Sequence, residues 1–410
     1  MERPALAQGV ILQQLDQQGL PAFLLAGPAG REWQVHPLIY HIAANADGTR
    51  TPAELARLAA EATGSPVTAE AAGRVIRWLA ERGLIAGEAP VESPEPAVGN
   101  GLGQVRLRLF SGPGLAAAAA GLAFLFRPRW VALLLLLSAA VRLAPYAAFR
   151  RTRLLALAAD PWSVLAPGQL AALAAILLAA GLLHELGHAA AARAAGLAVR
   201  EVGAGLNVVF PVFYTKVDNI WTASRRQRFV IASGGIYFQF LTGSLLWGHY
   251  LLNPGTPAAL LALLSDVATL SNLQPFLRFD GYWMLSHLFG IVNLARRGWG
   301  QLAEWATLGR VRDAFLPAYG PVQRLVIAAY GLGNALFLAA FTWGLIRWSE
   351  FLAGALPREL LLAATGGLTR ERAWVVLQGA AWAVLVLSAG RRLYRWLGPL
   401  LRRGAARQGA

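Results

Sequence analysis

The chain has 410 residues, of which 56% are hydrophobic and only 14% charged, with no Cys and a formal net charge of +15. Soluble globular proteins carry about 25% charged residues, so the shortage of charge points to a polytopic membrane protein, in which hydrocarbon penalises each ionised group. The lack of Cys excludes disulfides and thiolate metal sites. The positive charge, mostly Arg flanking apolar runs, fits cytoplasmic loops of a membrane protein. No nucleic-acid-binding motif accompanies it, so nucleic acid is excluded as a partner.

Residues 1–86 read as a small α+β domain. Leu20–Ala26 and Glu32–Val35 are predicted to form a hairpin about a turn at 27–30. A short helix follows over 37–44. Thr51-Pro52-Ala53-Glu54 is a capping box with Pro at the first helical position, opening a helix to about residue 62. A second helix over 67–81 is expected to bury Val75, Ile76 and Leu79, and Gly83-Leu84-Ile85 ends it. Helices followed by a short apolar strand suggest a winged-helix-like fold. The first 30 residues show no charged start followed by an apolar core, so no signal peptide is expected and the N-terminus is placed in the cytoplasm. Residues 87–104, with Pro90, Pro94, Pro96 and several Gly, read as a linker.

The remainder, 105–410, reads as a mainly α, transmembrane domain of about six spans. Residues 111–126 are short and interrupted by Pro113, which suggests an interfacial or re-entrant helix. Spans are predicted at 130–149, 168–192, 229–252, 258–273, 321–346 and 374–389. The fourth is short and precedes Pro275, Asp280 and Gly281, as a half-helix broken inside the membrane would. Six spans put both termini on the cytoplasmic side. The Arg-rich stretches at 193–228 and 391–403 agree with this, and Arg150, Arg151 and Arg153 disagree.

The second span ends Leu182-Leu183-His184-Glu185-Leu186-Gly187-His188. In this HExxH pattern, positions i and i+4 share one helix face, so both imidazoles reach a common ion. Glu185 is then placed to take a proton from an attacking water, and zinc is the metal such a set usually serves. Three ionisable side chains inside an apolar helix must be paired or functional. Two His leave the site one protein ligand short. Asp280, in Arg278-Phe279-Asp280-Gly281-Tyr282-Trp283, is preferred, and Asp266, Glu201 and His287 are the other candidates. Asn272 stands near the same break, where its amide would bind the substrate carbonyl or else cap the broken helix. Residues 204–221 have the composition of a hairpin that pairs with an extended substrate. Ser233-Gly234-Gly235 permits close approach of a helix or substrate.

His184-Glu185-Leu186-Gly187-His188, followed by Asn272-Leu273-Gln274-Pro275 and then Asp280-Gly281, resembles the site-2 protease family of intramembrane metalloproteases over about residues 165–295. The stretch from Arg278 to Trp283 is most similar to its peptide zinc metalloprotease branch. The resemblance implies Zn2+ held by His184, His188 and Asp280, with Glu185 as general base and Asn272 in substrate binding. The N-terminal domain is similar to PqqD-type modules, which bind leader peptides by strand addition. The implied function is intramembrane cleavage of a ribosomally made peptide or its leader during maturation or export, in a bacterial cytoplasmic membrane, with the bilayer and peptide-export machinery as partners. The alternatives are regulated proteolysis of a transmembrane signalling protein such as an anti-sigma factor, and a non-catalytic, metal-stabilised transporter or scaffold. No PDZ-like domain is evident, a departure from many site-2 proteases that cleave anti-sigma factors.

Overall fold

The structure is a computed structural model and describes residues 2–87, 106–148 and 166–387, except for 18–19, 28–31, 65, 208–209, 219, 221–222, 312, 314–315, 317–318, 368, 370–371 and 385. Most of the linker, the 27–30 turn beyond Gly27, Arg150, Arg151, Arg153 and the Arg-rich tail lie outside the described residues. The chain divides into two compact units, one of Met1–Asn100 with Asp218–Arg228, the other of Gly101–Val217 with Phe229–Ala410.

In the first unit, β1 (Ile11–Gln17), β2 (Leu20–Ala26) and β3 (Glu32–Val35) form an antiparallel sheet in that order. Three helices follow: α1 (Pro37–Asn45), α2 (Pro52–Thr63) and α3 (Ala69–Ala80). The capping box at Thr51 forms, with the Thr51 N–H donating to Glu54 Oε2 at 2.7 Å and the Glu54 N–H donating to Thr51 Oγ1 at 3.4 Å. Backbone and side-chain hydrogen bonds from Thr51 hold the Glu54 carboxyl below its ordinary pKa. Leu25, Ile42, Leu55, Leu79 and Leu84 are fully buried. Ile76 and Leu79 are buried as expected, whereas Val75 is half-buried.

Two features differ from the sequence reading. Strand β1 was not expected, because Gln13-Gln14 breaks the alternation that marks a half-buried strand. The expected strand after the last helix is only an isolated bridge, Leu6 opposite Ile85. The sheet therefore comes before the helices, and the unit lacks a C-terminal wing among its described residues.

The second unit holds a second antiparallel sheet, β4 (Arg106–Ser111), β5 (Val199–Asn207) and β6 (Phe210–Val217), in the order β4-β5-β6. The hairpin expected at 204–221 forms earlier in the chain, with Asn207 opposite Phe210. The unexpected third strand, β4, pairs on the far side of β5 and leaves β6 at the edge. The helices are α4 (Gly112–Leu122), α5 (Pro128–Ala148), α6 (Pro167–Ala194), α7 (Arg225–Leu252), α8 (Thr256–Leu273), α9 (Asp280–Phe289), α10 (Leu294–Ala306) and α11 (Pro321–Gly366).

Three helices are long and apolar enough to cross a membrane: Ala171–Ala194, Arg225–Leu252 and Pro321–Gly366. Gly112–Phe126 with Pro128–Leu143 makes a fourth only if that pair, bent by 79°, is one span. The expected six are thus three or four among the described residues. The bend has a local cause: a residue before Pro is driven out of the helical region, and Arg127, before Pro128, has ψ 135°. Helix α8 is short, its apolar stretch Pro257–Leu273 rising about 25 Å at 1.5 Å per residue, against a hydrocarbon core of about 30 Å. Leu136, Leu245, Leu325 and Leu336 are each at least 70% exposed, an outward apolar surface that suits lipid contact.

Small residues and buried polar groups join these helices. Gly187 of α6 meets Gly234 of α7 backbone to backbone, and a Cβ on either would strike the other helix. Arg142 of α5 donates to Asp266 of α8 and to the Phe240 carbonyl of α7. The irregular segment after α8 is held by Gln274, whose Oε1 accepts from Phe276 N at 3.0 Å and Leu277 N at 3.2 Å. Asn334 of α11 donates to the Phe276 carbonyl at 3.0 Å. Those bonds satisfy backbone that left its helix, as burial requires.

Candidate metal centre

Helix α6 presents His184 and His188 one turn apart, with Nε2 atoms 3.2 Å from each other and ring centroids 4.9 Å apart. Asp280 reaches them from the first turn of α9, its Oδ2 lying 2.9 Å from His184 Nε2 and 3.4 Å from His188 Nε2. One ligand-type atom from each of these residues lies within 4.8 Å of the others.

The approach of Asp280 is made possible by Gly281. A Cβ there would collide with the carbonyl of Leu273, so α9 can begin against the end of α8 only with glycine at this position. Burial pushes the Asp280 carboxyl up, but His188 and His184 beside it outweigh that and hold it below the ordinary carboxylate range. Its Oδ2 is buried, with the Nε2 atoms of both imidazoles as its near polar neighbours.

The far nitrogens of both imidazoles are engaged. His188 Nδ1 is 2.7 Å from the Ile231 carbonyl, which can only accept, so Nδ1 carries a proton and Nε2 is the nitrogen available to a metal. His184 Nδ1 is 3.2 Å from Gln239 Oε1. This is the outer-shell pattern of metal-binding histidines. Helix α7 also supplies the room. A Cβ on Gly235 would run into Nε2 of both histidines. We expect a Gly235→Ala protein to fold, since Ala favours helix over Gly by about 1 kcal/mol, but to hold no divalent metal. Full metal content by plasma mass spectrometry would show that the imidazoles can move aside.

Glu185 is buried next to His184. Its Oε2 accepts from the Thr215 hydroxyl at 2.7 Å, and that hydroxyl also lies 2.9 Å from the Glu185 carbonyl. Thr215 belongs to β6, and the Phe213 ring of the same strand fills the space beside Gly181 of α6. The edge strand is thus fixed against the helix that carries the motif.

The other predicted positions are distributed as follows. Asn272 Nδ2 donates to Gln239 Oε1 at 3.0 Å, which makes it a neighbour of the His184 support. Asp266 is engaged by Arg142 and by Trp247 Nε1, Glu201 accepts from the Tyr214 hydroxyl, and the His287 ring stacks on Trp283. None of these three joins the cluster. Sequence reasoning missed Gln239 and Thr215. A lone amide in the apolar run Ile236-Tyr237-Phe238-Gln239-Phe240-Leu241 was a signal for the first, because polar groups inside a span need partners. For Thr215, in an ordinary strand pattern, there was none.

No protein-family model and no solved structure matches the chain. The chain is 33% identical over 116 residues, 28% of its length, to a Bacillus subtilis (strain 168) protein named "Putative peptide zinc metalloprotease protein YydH". The match spans 46% of that relative, about half its length.

Proposed function

We propose that the chain is an intramembrane zinc-dependent endopeptidase of the site-2 type, acting on a ribosomally made peptide or its leader during maturation or export. The observation that carries this reading is the convergence of His184 and His188 Nε2 with Asp280 Oδ2, beside Glu185 and on a helix long and apolar enough to cross a membrane. Two imidazoles and one carboxylate with a fourth position left open is a catalytic rather than structural zinc set. The printed name of the Bacillus subtilis relative supports the same chemistry.

When bound, zinc would supply a Lewis acid for the scissile carbonyl and lower the pKa of a water beside Glu185. The Glu185 carboxylate takes the proton of the attacking water and passes it to the leaving nitrogen. Thr215, hydrogen-bonded to Oε2, limits the carboxylate to one orientation. The position of β6 at the edge of its sheet, among the described residues, suits a substrate in extended form, which leaves the scissile amide open to attack. In the first unit, the edge strands β1 and β3 are the positions at which a leader peptide would add, the role proposed for a PqqD-like module. We place the chain in a bacterial cytoplasmic membrane with both termini cytoplasmic.

The test is zinc content by plasma mass spectrometry on detergent-purified wild type, His188→Ala and Asp280→Ala. About one zinc per wild-type chain, lost in both variants, is the expected result. A wild type prepared with zinc present that still holds none would sink the proposal. An Asp280→Ala protein that keeps zinc at full affinity would remove Asp280 from the ligand set.

A further inference from the structure

Helix α7 faces the two imidazoles with Ile231, Gly235 and Gln239, which are spaced i, i+4 and i+8 and so share one helix face. The Ile231 carbonyl takes the Nδ1–H of His188, Gly235 leaves room for both Nε2 atoms, and Gln239 meets Nδ1 of His184. A backbone carbonyl can only accept, so His188 has one possible tautomer. A side-chain amide can turn over, so His184 has two.

The two orientations of Gln239 have opposite consequences. With Oε1 toward His184, the imidazole carries its proton on Nδ1, and the Nε2 lone pair faces Asp280 Oδ2, 2.9 Å away. With the amide NH2 toward His184, the proton moves to Nε2, which then donates to Asp280 and cannot bind a metal. Asn272 bears on this choice. Its Nδ2 donates to the same Gln239 Oε1 at 3.0 Å, and so holds the oxygen where His184 needs it. Gln239 is buried within a candidate span, where an unpartnered amide is costly, so all three members hold one another in place.

We propose that Gln239 is a positioning residue for the metal centre, selecting the metal-binding tautomer of His184, and that Asn272 acts on the metal through Gln239. This rests on the zinc reading of the site. It gives Asn272 a role before any substrate arrives.

The experiment measures zinc affinity of full-length protein in detergent by competition with a chromophoric chelator, with the unfolding midpoint of each metal-free protein followed alongside. Gln239→Met keeps the length and apolar character but lacks a strong acceptor, and is expected to bind zinc 10–100-fold more weakly, the usual cost of an outer-shell change. Gln239→Glu can accept in either orientation while ionised, and is expected to bind about as tightly as wild type. Asn272→Leu is expected to weaken binding by less than Gln239→Met, since it only frees the amide to turn. A folded Gln239→Met protein with wild-type affinity would overturn the proposal. So would a Gln239→Glu protein that loses as much as Gln239→Met, because shape rather than hydrogen bonding would then be the cause. If Gln239→Met does not fold, the Gln239→Glu and Asn272→Leu proteins decide: wild-type affinity in the first with a loss in the second supports the proposal, and any other pair of results overturns it. Wild-type protein that binds no zinc would instead refute the zinc reading itself, an outcome separable from all the others.

Discussion

Glu185→Gln is expected to keep its zinc and to lose peptide cleavage by roughly 10²–10⁴-fold, the usual contribution of a positioned general base. Gln is nearly isosteric with Glu and its amide still accepts from Thr215, so the packing between α6 and β6 survives. What disappears is the basic oxygen. Glu185 contributes no atom to the His184–His188–Asp280 cluster, and metal content is therefore expected to stay at the wild-type value. The measurement pairs plasma mass spectrometry with hydrolysis of a dye-labelled unstructured polypeptide such as casein. Loss of cleavage together with zinc would make Glu185 part of the metal site. Undiminished cleavage would remove it from the chemistry.

Asp266→Ala is expected to lower stability by about 3–5 kcal/mol, the cost of leaving a buried partner charge uncompensated. Arg142 Nη2 lies 2.9 Å from Asp266 Oδ1 and Nε lies 3.1 Å from it, with both side chains almost completely covered. The guanidinium also donates to Ser138 O, Phe240 O and Ser244 Oγ and lies over the Phe240 ring. Trp247 Nε1 donates to the other Asp266 oxygen at 2.6 Å. The salt bridge joins α5 to α8, and the other hydrogen bonds of its two side chains tie both to α7. The double variant Arg142→Met with Asp266→Leu removes both charges and is expected to recover most of the loss, since apolar replacement of a buried pair is often neutral. Denaturant titration in detergent compares the three proteins. Equal losses in the single and double variants would show that packing, not the unpaired charge, sets the cost.

Asp266 also shows where sequence reasoning reached its limit. An acid inside an apolar run announces that it has a partner, but three partners were open to it in principle: a metal, a cation or a hydrogen-bond donor. Its partners are Arg142, 124 residues away, and the Trp247 indole. Gln239 is a parallel case, a polar group in an apolar helix whose two neighbours, His184 and Asn272, come from two other helices.

The sequence by itself determined what depends on neighbouring residues. The capping box at Thr51 and the shared face of His184 and His188 follow from helix geometry over four residues. The break after Leu273 follows from Pro275, and the apolar helices from runs of Leu and Ala. Tertiary structure alone decided what depends on distant approach. It bent the chain at Arg127, paired β4 with β5, and left three or four candidate spans among the described residues. It also brought Asp280, which the sequence already favoured, and not Asp266, Glu201 or His287, beside the two imidazoles. The physical reason in that last case is steric: Gly281 lets α9 start against the Leu273 carbonyl, and that contact carries Asp280 to the histidines.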